Sequence, residues 1–185
     1  MALTPTTQIE LGFKAPQFLL ADTVTGNLFG FDDIKGEKGT LVMFICNHCP
    51  YVVHVIKELV SVAKTYQPKG FGFVAISAND IENYPDDSPE KMTLFAQENN
   101  FSFPYLFDET QEVAKAYDAA CTPDFSLFDE NESCVYRGRL DASTPGNKML
   151  NDGKDLRLAL DCLLKGEKIP EPQYPSMGCN IKWKK

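Results

Sequence analysis

The order of apolar and polar positions along the chain predicts strands that alternate with helices. Residues 41–45 and 71–76 are almost entirely apolar, which is typical of strands buried on both faces of a sheet. Between them, apolar residues recur every three or four positions from 52 to 66, which predicts an amphipathic helix. Pro50 stands just before this helix, where a missing N–H is tolerated. The pattern indicates an α/β fold, a central mixed sheet with helices on both faces.

The remaining segments extend this sheet and add a tail. Residues 18–21 and 28–31 flank a turn and predict an N-terminal hairpin. Further helices are predicted at 88–99, at 110–117 with Thr110 as N-cap, and at 155–164, and further strands at 105–107, 125–128 and 134–140. Proline becomes frequent near the C-terminus. We therefore divide the chain into one domain at 1–167 and an extended tail at 168–185 that packs on the domain.

Composition narrows the possible partners and compartment. The chain has 185 residues and a net charge of −8, and an acidic domain of this kind is unsuited to nucleic acid or anionic membranes. The N-terminus lacks the basic segment and apolar run of a signal peptide. We therefore expect a cytoplasmic protein, in which pairs of cysteines are catalytic or metal-binding more often than structural.

The predicted strand at 41–45 leads directly into a C-x-x-C motif made by Cys46 and Cys49. A C-x-x-C between a strand and a helix in a cytosolic α/β chain is typical of a redox dithiol. The two sulfur atoms can come within disulfide distance, and the positive end of the helix stabilises the reactive thiolate. His48 lies between them and could lower a thiol pKa or relay a proton, although an exposed loop residue is an equal alternative.

Two other classes of function remain open on the same residues. Cys46, Cys49 and a histidine could form a copper or zinc site for metal binding or delivery, because thiolate and imidazole suit these ions. No second C-x-x-C is present to complete a structural zinc site. Alternatively, the thiol pair could switch a partner-binding surface without any turnover.

Several motifs together carry a resemblance to a known family. They are Ala-Pro-Gln-Phe at 15–18, Cys-Pro at 49–50, Val-Ala-Ile-Ser-Ala-Asn-Asp at 74–80, Cys-Thr-Pro-Asp-Phe-Ser-Leu-Phe-Asp at 121–129 and Gly-Cys-Asn-Ile-Lys-Trp at 178–183. With these motifs the chain resembles the thioredoxin-fold redoxins, in the peroxiredoxin-like branch of the alkyl hydroperoxide reductase and thiol-specific antioxidant superfamily. The resemblance implies a thioredoxin fold with an N-terminal hairpin extension.

The resemblance also implies which cysteine attacks. In these proteins the attacking cysteine follows a strand aromatic by five positions, and Phe44 plus five is Cys49. Cys49 is therefore expected to be the nucleophile and Cys46 the resolving thiol, although exchanged roles remain possible. The chain departs from peroxiredoxins at Cys46, where they carry threonine, and from thioredoxins at His48, where they carry tryptophan.

A proline elsewhere in the chain completes the site that the resemblance implies. Thr122-Pro123 matches the cis-proline whose loop lies against the active-site cysteine, and Thr122 would present its backbone to an extended thiol substrate. Pro50 is a further candidate for substrate contact. Cys121 would then lie close to Cys49 as a second resolving candidate. Cys179 in the tail could also reach the site, but anchoring of the tail is the favoured interpretation.

The other cysteines and two arginines are expected to have structural roles. Cys134 falls on a strand and Cys162 on the last helix, so both are expected in the core. Arg137 and Arg139 are expected to be solvated charges at a strand edge, although one of them could instead face the thiolate. The sequence thus predicts a thiol-dependent oxidoreductase that acts on a thiol, disulfide or peroxide substrate with a thioredoxin-like reductant and without a bound cofactor.

Overall fold

The computed structural model describes residues 3–185 and contains the expected mixed sheet with helices on both faces. The strands are β1 (Leu3–Pro5), β2 (Leu19–Asp22), β3 (Leu28–Gly30), β4 (Gly39–Phe44), β5 (Phe71–Ser77), β6 (Tyr105–Phe107), β7 (Cys121–Thr122), β8 (Asp124–Phe128), β9 (Cys134–Tyr136) and β10 (Met177–Asn180). The helices are α1 (Phe31–Ile34), α2 (Pro50–Tyr66), α3 (Pro89–Glu98), α4 (Glu112–Ala116) and α5 (Lys154–Lys165). The large sheet has seven strands in the order β3-β2-β6-β5-β4-β8-β9.

Strand β4 forms the centre of this sheet. It pairs in parallel with β5 and antiparallel with β8, and all six of its residues are buried. Because side chains alternate across a strand, Met43 packs in the core cluster that contains residues of α2, α3 and α5. Val42 and Phe44 belong to the opposite cluster, which contains residues of α1 and α4. Two helical layers therefore enclose the strand that leads to the C-x-x-C motif.

The predicted N-terminal hairpin is confirmed. β2 and β3 pair antiparallel, with Leu20 opposite Phe29, and β2 continues the large sheet by pairing with β6. Each of the longer predicted helices is present, and within residues 3–185 no helix is long and apolar enough to cross a membrane.

Helix α4 differs from its prediction because it begins two residues later, and Gln111 replaces Thr110 as N-cap. Gln111 has a φ of +65° and is buried. Its side-chain amide donates hydrogen bonds to the carbonyl oxygens of Ala78 (2.5 Å) and Lys182 (2.9 Å). The start of α4 is thus set by bonds to the C-terminal tail, which no local capping rule could predict.

The prediction for Arg137 was wrong. Its side chain is buried, and its guanidinium donates to Ser126 Oγ and to the carbonyl oxygen of Asp118, each at 2.8 Å. A charged group taken out of water requires such partners, and β9 ends at Tyr136 where the chain turns Arg137 inward. Arg139 is only partly buried and pairs with Asp155 at 2.6 Å.

A small second sheet connects the tail to the domain. Strand β10 lies between β1 and β7 and pairs antiparallel with both. Cys179 stands opposite Leu3 on one side and opposite Thr122 on the other. The sequence predicted an extended tail, and the structure shows that this extended segment is a paired strand beside the predicted cis-proline loop.

Candidate active site

The C-x-x-C motif lies between the end of β4 and the start of α2. Cys46 follows the strand by two residues, and Cys49 is the N-cap of the helix, with Pro50 at its first position. The backbone of Cys49 is extended, with φ −70° and ψ 122°, and its carbonyl oxygen accepts the N–H of Val53 at 3.0 Å. This placement puts the Cys49 sulfur near the partial positive charge at the N-terminus of a seventeen-residue helix.

Three sulfur atoms meet beside the cis-proline loop. Cys49 Sγ lies 2.8 Å from Cys179 Sγ and 3.2 Å from the carbonyl oxygen of Thr122. Cys46 Sγ lies 3.3 Å from Thr122 Oγ1. All three cysteines are buried, and none of them is in a disulfide bond. The 2.8 Å separation is longer than the about 2.05 Å of a disulfide bond, so these two sulfur atoms are in contact but not bonded, and an oxidant would be needed to join them.

The thiols differ in acidity because they share one negative charge. The Cys46 thiol donates to Cys49 and is the main cause that lowers the pKa of Cys49 to about 4, with further contributions from Cys179 and the helix N–H of Val52. The same hydrogen bond, together with burial, raises the pKa of Cys46. Burial, followed by the effect of Cys49, raises the pKa of Cys179 to about 12. Cys49 is therefore the thiolate of the group at neutral pH.

Thr122 and Pro123 lie where the resemblance implied. The peptide bond between them is cis, and Thr122 contacts both cysteines of the motif, through its hydroxyl to Cys46 and through its carbonyl to Cys49. In the thiol form Cys49 can donate to this carbonyl, and in the thiolate form it accepts from the neighbouring thiols. Pro50 is exposed at the start of α2. Thr122 therefore lies against both sulfur atoms of the motif.

His48 belongs to a charged network on the other side of the motif. Its Nδ1 lies 2.7 Å from Asp87 Oδ2, and Asp87 is fully buried. Asp87 also accepts from the backbone N–H of Asn47 (2.8 Å) and from Asn79 Nδ2 (2.7 Å). The partnership with Asp87 raises the pKa of His48. Burial alone would raise the pKa of Asp87, but His48 and Asn79 outweigh it, so that this pKa is lowered.

Cys121 does not join the sulfur cluster. Its Sγ contacts Thr6 Oγ1 at 4.0 Å and the carbonyl oxygen of Pro123 at 3.6 Å. Adjacent residues of a strand point to opposite faces, and Thr122 is the one that faces Cys46. Burial raises the pKa of the Cys121 thiol well above its usual range. The structure therefore brings the sulfur atoms of Cys46, Cys49 and Cys179 to one place, whereas the Cys121 sulfur contacts Thr6 and Pro123. The charge on Cys49 still adds to the raised pKa of Cys121.

The remaining cysteines and the second histidine lie outside the site. Cys134 and Cys162 are buried in the two core clusters, as predicted. His54 on α2 is partly buried, and its Nε2 lies 2.6 Å from Ser143 Oγ. It therefore has a structural partner away from the sulfur cluster.

Among residues 3–185, one group of side chains could hold a metal ion. A ligand atom from each of Cys46, His48 and Asp87 lies within 4.8 Å of the others. This set shares Cys46 and a histidine with the site considered from sequence, but Asp87 takes the place of Cys49. Thiol, imidazole and carboxylate are a ligand combination that zinc accepts.

Sequence reasoning missed Asp87, and it left the contact made by Cys179 as the less favoured of two alternatives. Asn79 gave a partial signal for Asp87, because it follows β5 at the edge of the sheet where the motif also lies. Asp87 comes eight residues after Asn79 in a polar loop, and nothing local distinguishes it from Asp86. The position of Cys179 had no local signal, because it depends on how the tail pairs with β7.

A buried cysteine at a helix N-terminus, facing a cis-proline loop on a mixed α/β sheet, defines the class of thioredoxin-fold redoxins. Comparison with known proteins agrees: the AhpC/TSA family profile matches residues 11–137, which is more than half of the chain. The chain belongs to the AhpC/TSA family, which joins it to peroxiredoxin-like and thiol-disulfide oxidoreductase proteins.

Individual relatives agree with this assignment. The chain is 28% identical over 131 residues to the thiol-disulfide oxidoreductase ResA of Geobacillus kaustophilus, covering 69% of this chain and 68% of that one. The crystal structure of an uncharacterized conserved protein from the same organism is 54% identical, with a TM-score of 0.98 and coverage of 100% and 97%. The thioredoxin domain of a Bacteroides vulgatus thiol-disulfide oxidoreductase has 18% identity, a TM-score of 0.63 and coverage of 83% and 99%, and thus shares the fold.

Proposed function

We propose that this protein is a thiol-disulfide oxidoreductase or peroxiredoxin-like antioxidant protein that works through the Cys46-x-x-Cys49 dithiol. Cys49 is the nucleophile and Cys46 the resolving thiol of this mechanism. The observation that carries the proposal is the position of the Cys49 sulfur, which lies at the N-terminus of α2, accepts from Cys46 and faces the Thr122 loop. A thiolate held in this way is the reactive form of cysteine.

With a disulfide substrate, the Cys49 thiolate attacks one sulfur, a mixed disulfide forms and the other sulfur leaves as a thiolate. Deprotonated Cys46 then attacks the Cys49 sulfur, which forms the Cys46–Cys49 disulfide and releases the second thiolate. With a peroxide, Cys49 takes the hydroxyl group to become a sulfenic acid, and the alkoxide leaves and accepts a proton. Cys46 condenses with the sulfenic acid and water leaves. In either case an external dithiol supplies two electrons to regenerate both thiols.

Thr122 and Pro123 support this function through substrate positioning. An extended peptide substrate could pair with the backbone of Thr122 and place its sulfur against Cys49. Pro50 is exposed at the start of α2 and offers an apolar contact for the same substrate. Within the proposal the protein acts in a reducing cytoplasm, with a thioredoxin-like protein as its electron donor, and its charge of −8 disfavours a nucleic-acid or membrane partner.

The test is a pair of assays with the same reductant. Hydrogen peroxide consumption and reduction of a model protein disulfide are measured with a thioredoxin-type reducing system. At least one activity is expected for the native chain, and Cys49→Ser should abolish it. Cys162→Ala, which removes a buried thiol on α5, is the matched control and should retain it. Absence of both activities with Cys49 intact and reduced would contradict the proposal.

The grouping of Cys46, His48 and Asp87 favours a second candidate function, the binding or delivery of copper or zinc. Such binding would require release of protons from Cys46 and His48, both of which have raised pKa values. This cost makes the redox function the better supported of the two. Metal analysis of protein purified without added metal distinguishes them. Near-stoichiometric zinc or copper that is lost in Asp87→Asn but retained in Asp86→Asn would support the metal function, and metal-free protein would contradict it.

A further inference from the structure

The Cys49 thiolate is fully buried, and the tail strand covers it. Cys49 has no exposed surface, and Cys179 of β10 lies 2.8 Å from its sulfur. Strand β10 pairs with β7 so that Cys179 stands opposite Thr122. An external substrate would have to use the same backbone edge to reach Cys49. The tail therefore occupies the position of an extended thiol substrate and presents its own thiol there.

The approach of β10 to this loop depends on a residue without a side chain. A Cβ atom added to Gly178 would overlap the carbonyl group of Thr122 and lie 3.1 Å from the nitrogen of Pro123. Only glycine permits this close approach of two backbones. The chain is thus built to hold the residue next to Gly178, which is Cys179, against the site.

Bonds on either side of Cys179 fix its position. On one side, Ser176 Oγ donates to the carbonyl oxygen of Pro123 at 2.7 Å. On the other side, the Lys182 backbone N–H donates to Asn79 Oδ1 at 2.8 Å, and the Lys182 carbonyl oxygen accepts from the N–H of Asp80 at 2.8 Å. Asn79 in turn bonds Asp87, the partner of His48. These bonds anchor the tail, and the anchoring brings its thiol to Cys49.

We propose that Cys179 is a third redox-active cysteine of this site and forms a disulfide with Cys49 during turnover. The inference rests on the proposed function, because it requires Cys49 to react first. From a Cys49 sulfenic acid, the Cys179 thiol attacks the Cys49 sulfur, the S–S bond forms and water leaves. From a mixed disulfide, deprotonated Cys179 displaces the substrate thiolate.

Thiol-disulfide exchange can then convert the Cys49–Cys179 disulfide into the Cys46–Cys49 disulfide of the C-x-x-C motif. Deprotonated Cys46 attacks the Cys49 sulfur, the Cys46–Cys49 disulfide forms, and Cys179 leaves as a thiolate that takes up a proton. No electrons are gained or lost in this exchange, and the external dithiol reduces the product as before. The charge on Cys49 helps to keep Cys179 protonated. Burial is the larger cause of the raised pKa of Cys179, and oxidation of Cys49 removes only the contribution of the Cys49 charge.

The experiment maps disulfides after oxidation by one equivalent of hydrogen peroxide or of glutathione disulfide. Free thiols are alkylated under denaturing conditions and peptides are identified by mass spectrometry. In Cys46→Ser we expect a Cys49–Cys179 cross-link as the main product, and in Cys179→Ser a Cys46–Cys49 cross-link. Cys162→Ala should give the native pattern. In the double variant Cys46→Ser, Gly178→Ala the Cys49–Cys179 cross-link should be lost, because the added methyl group overlaps the Thr122 carbonyl group.

The outcomes separate this inference from the proposed function. Oxidised Cys49 together with an alkylated, free Cys179 in Cys46→Ser would overturn the role of Cys179 and leave the dithiol function standing. Cys49 that stays reduced in every variant would overturn the proposed function and this inference with it. A Cys49–Cys179 cross-link that is equally abundant in Cys46→Ser and in the double variant Cys46→Ser, Gly178→Ala would show that β10 pairing does not position the thiol, and would also overturn the inference.

Discussion

Gly178 of the tail lies so close to Thr122 that any side chain at position 178 would overlap the Thr122 carbonyl group. Two segments that are far apart in the chain therefore meet backbone to backbone, beside the thiolate of Cys49. The contact closes the site to solvent and places Cys179 within reach of Cys49. The absence of one side chain in the tail thus controls access to the reactive sulfur.

Gly178→Ala should open the site without changing any thiol. If the overlap weakens the closed tail by about 1.4 kcal/mol, the open population and the alkylation rate of Cys49 rise about tenfold. The measurement is peptide mapping of Cys49 after timed exposure of native protein to iodoacetamide. Gly146→Ala is the control, because its added methyl group meets nothing within 4 Å although its φ of +88° causes backbone strain. Equal labelling rates in Gly178→Ala and the native chain would contradict this prediction.

The pKa of Cys49 should depend on the hydrogen-bond donor at position 46. Cys46→Ala removes the donor and should raise this pKa from about 4, whereas Cys46→Ser retains a donor and should raise it less. Because the pKa of Cys49 is lowered in the folded state, its ionisation adds to the free energy of unfolding. This contribution is complete above pH 9.0, the usual thiol pKa, and is lost as pH falls through about 4. Ultraviolet absorbance of the thiolate against pH measures both midpoints, with Cys162→Ala as control. The prediction fails if the alanine and native midpoints coincide.

Removal of both resolving thiols should trap the first intermediate. In the double variant Cys46→Ser, Cys179→Ser, the attack of Cys49 on glutathione disulfide should yield a mixed disulfide that persists, since neither neighbour can displace glutathione. Each single variant should release glutathione through its remaining thiol. Intact-mass spectrometry follows the bound glutathione over time. Equal persistence in Cys46→Ser and in the double variant would contradict a resolving role for Cys179.

Asp87→Asn should lower the pKa of His48, because the carboxylate is the main cause of its raised value. Because the pKa of His48 is raised, its contribution to stability is complete below the usual value of 6.5 and is lost at higher pH. Because the pKa of Asp87 is lowered, its contribution to stability is complete above the usual value of 3.8 and is lost in acid. The stability lost in Asp87→Asn should therefore be largest between these two values. Histidine ring resonances against pH, and urea unfolding at several pH values, measure the two effects.

The exposed neighbour provides the matched control for this substitution. Asp86→Asn removes the same charge from the chain one residue away, where the side chain faces solvent. The His48 midpoint should be unchanged in Asp86→Asn. A His48 midpoint that moves equally in both variants would assign the shift to net charge and not to the contact with Asp87.

The sequence alone determined the fold class and the order of its main elements. Apolar runs specify β4 and β5, and helical spacing specifies α2, because burial imposes these patterns locally. The same local pattern placed Cys49 at the start of a helix, where the partial positive charge of the helix N-terminus acts on its sulfur. The cis bond at Thr122-Pro123 came from the resemblance. Its loop lies against Cys49 only after β8 pairs with β4.

The tertiary structure alone decided which groups surround that sulfur. Cys121 and Cys179 were both candidates from sequence, but strand alternation turns Cys121 toward Thr6, and β10 pairing turns Cys179 toward Cys49. Asp87 became the partner of His48 through a loop closed by Asn79. Local sequence sets backbone conformation and burial, whereas contacts between distant segments depend on strand register and on how closely backbones can approach. In this protein, those long-range contacts determine which thiols can exchange with Cys49.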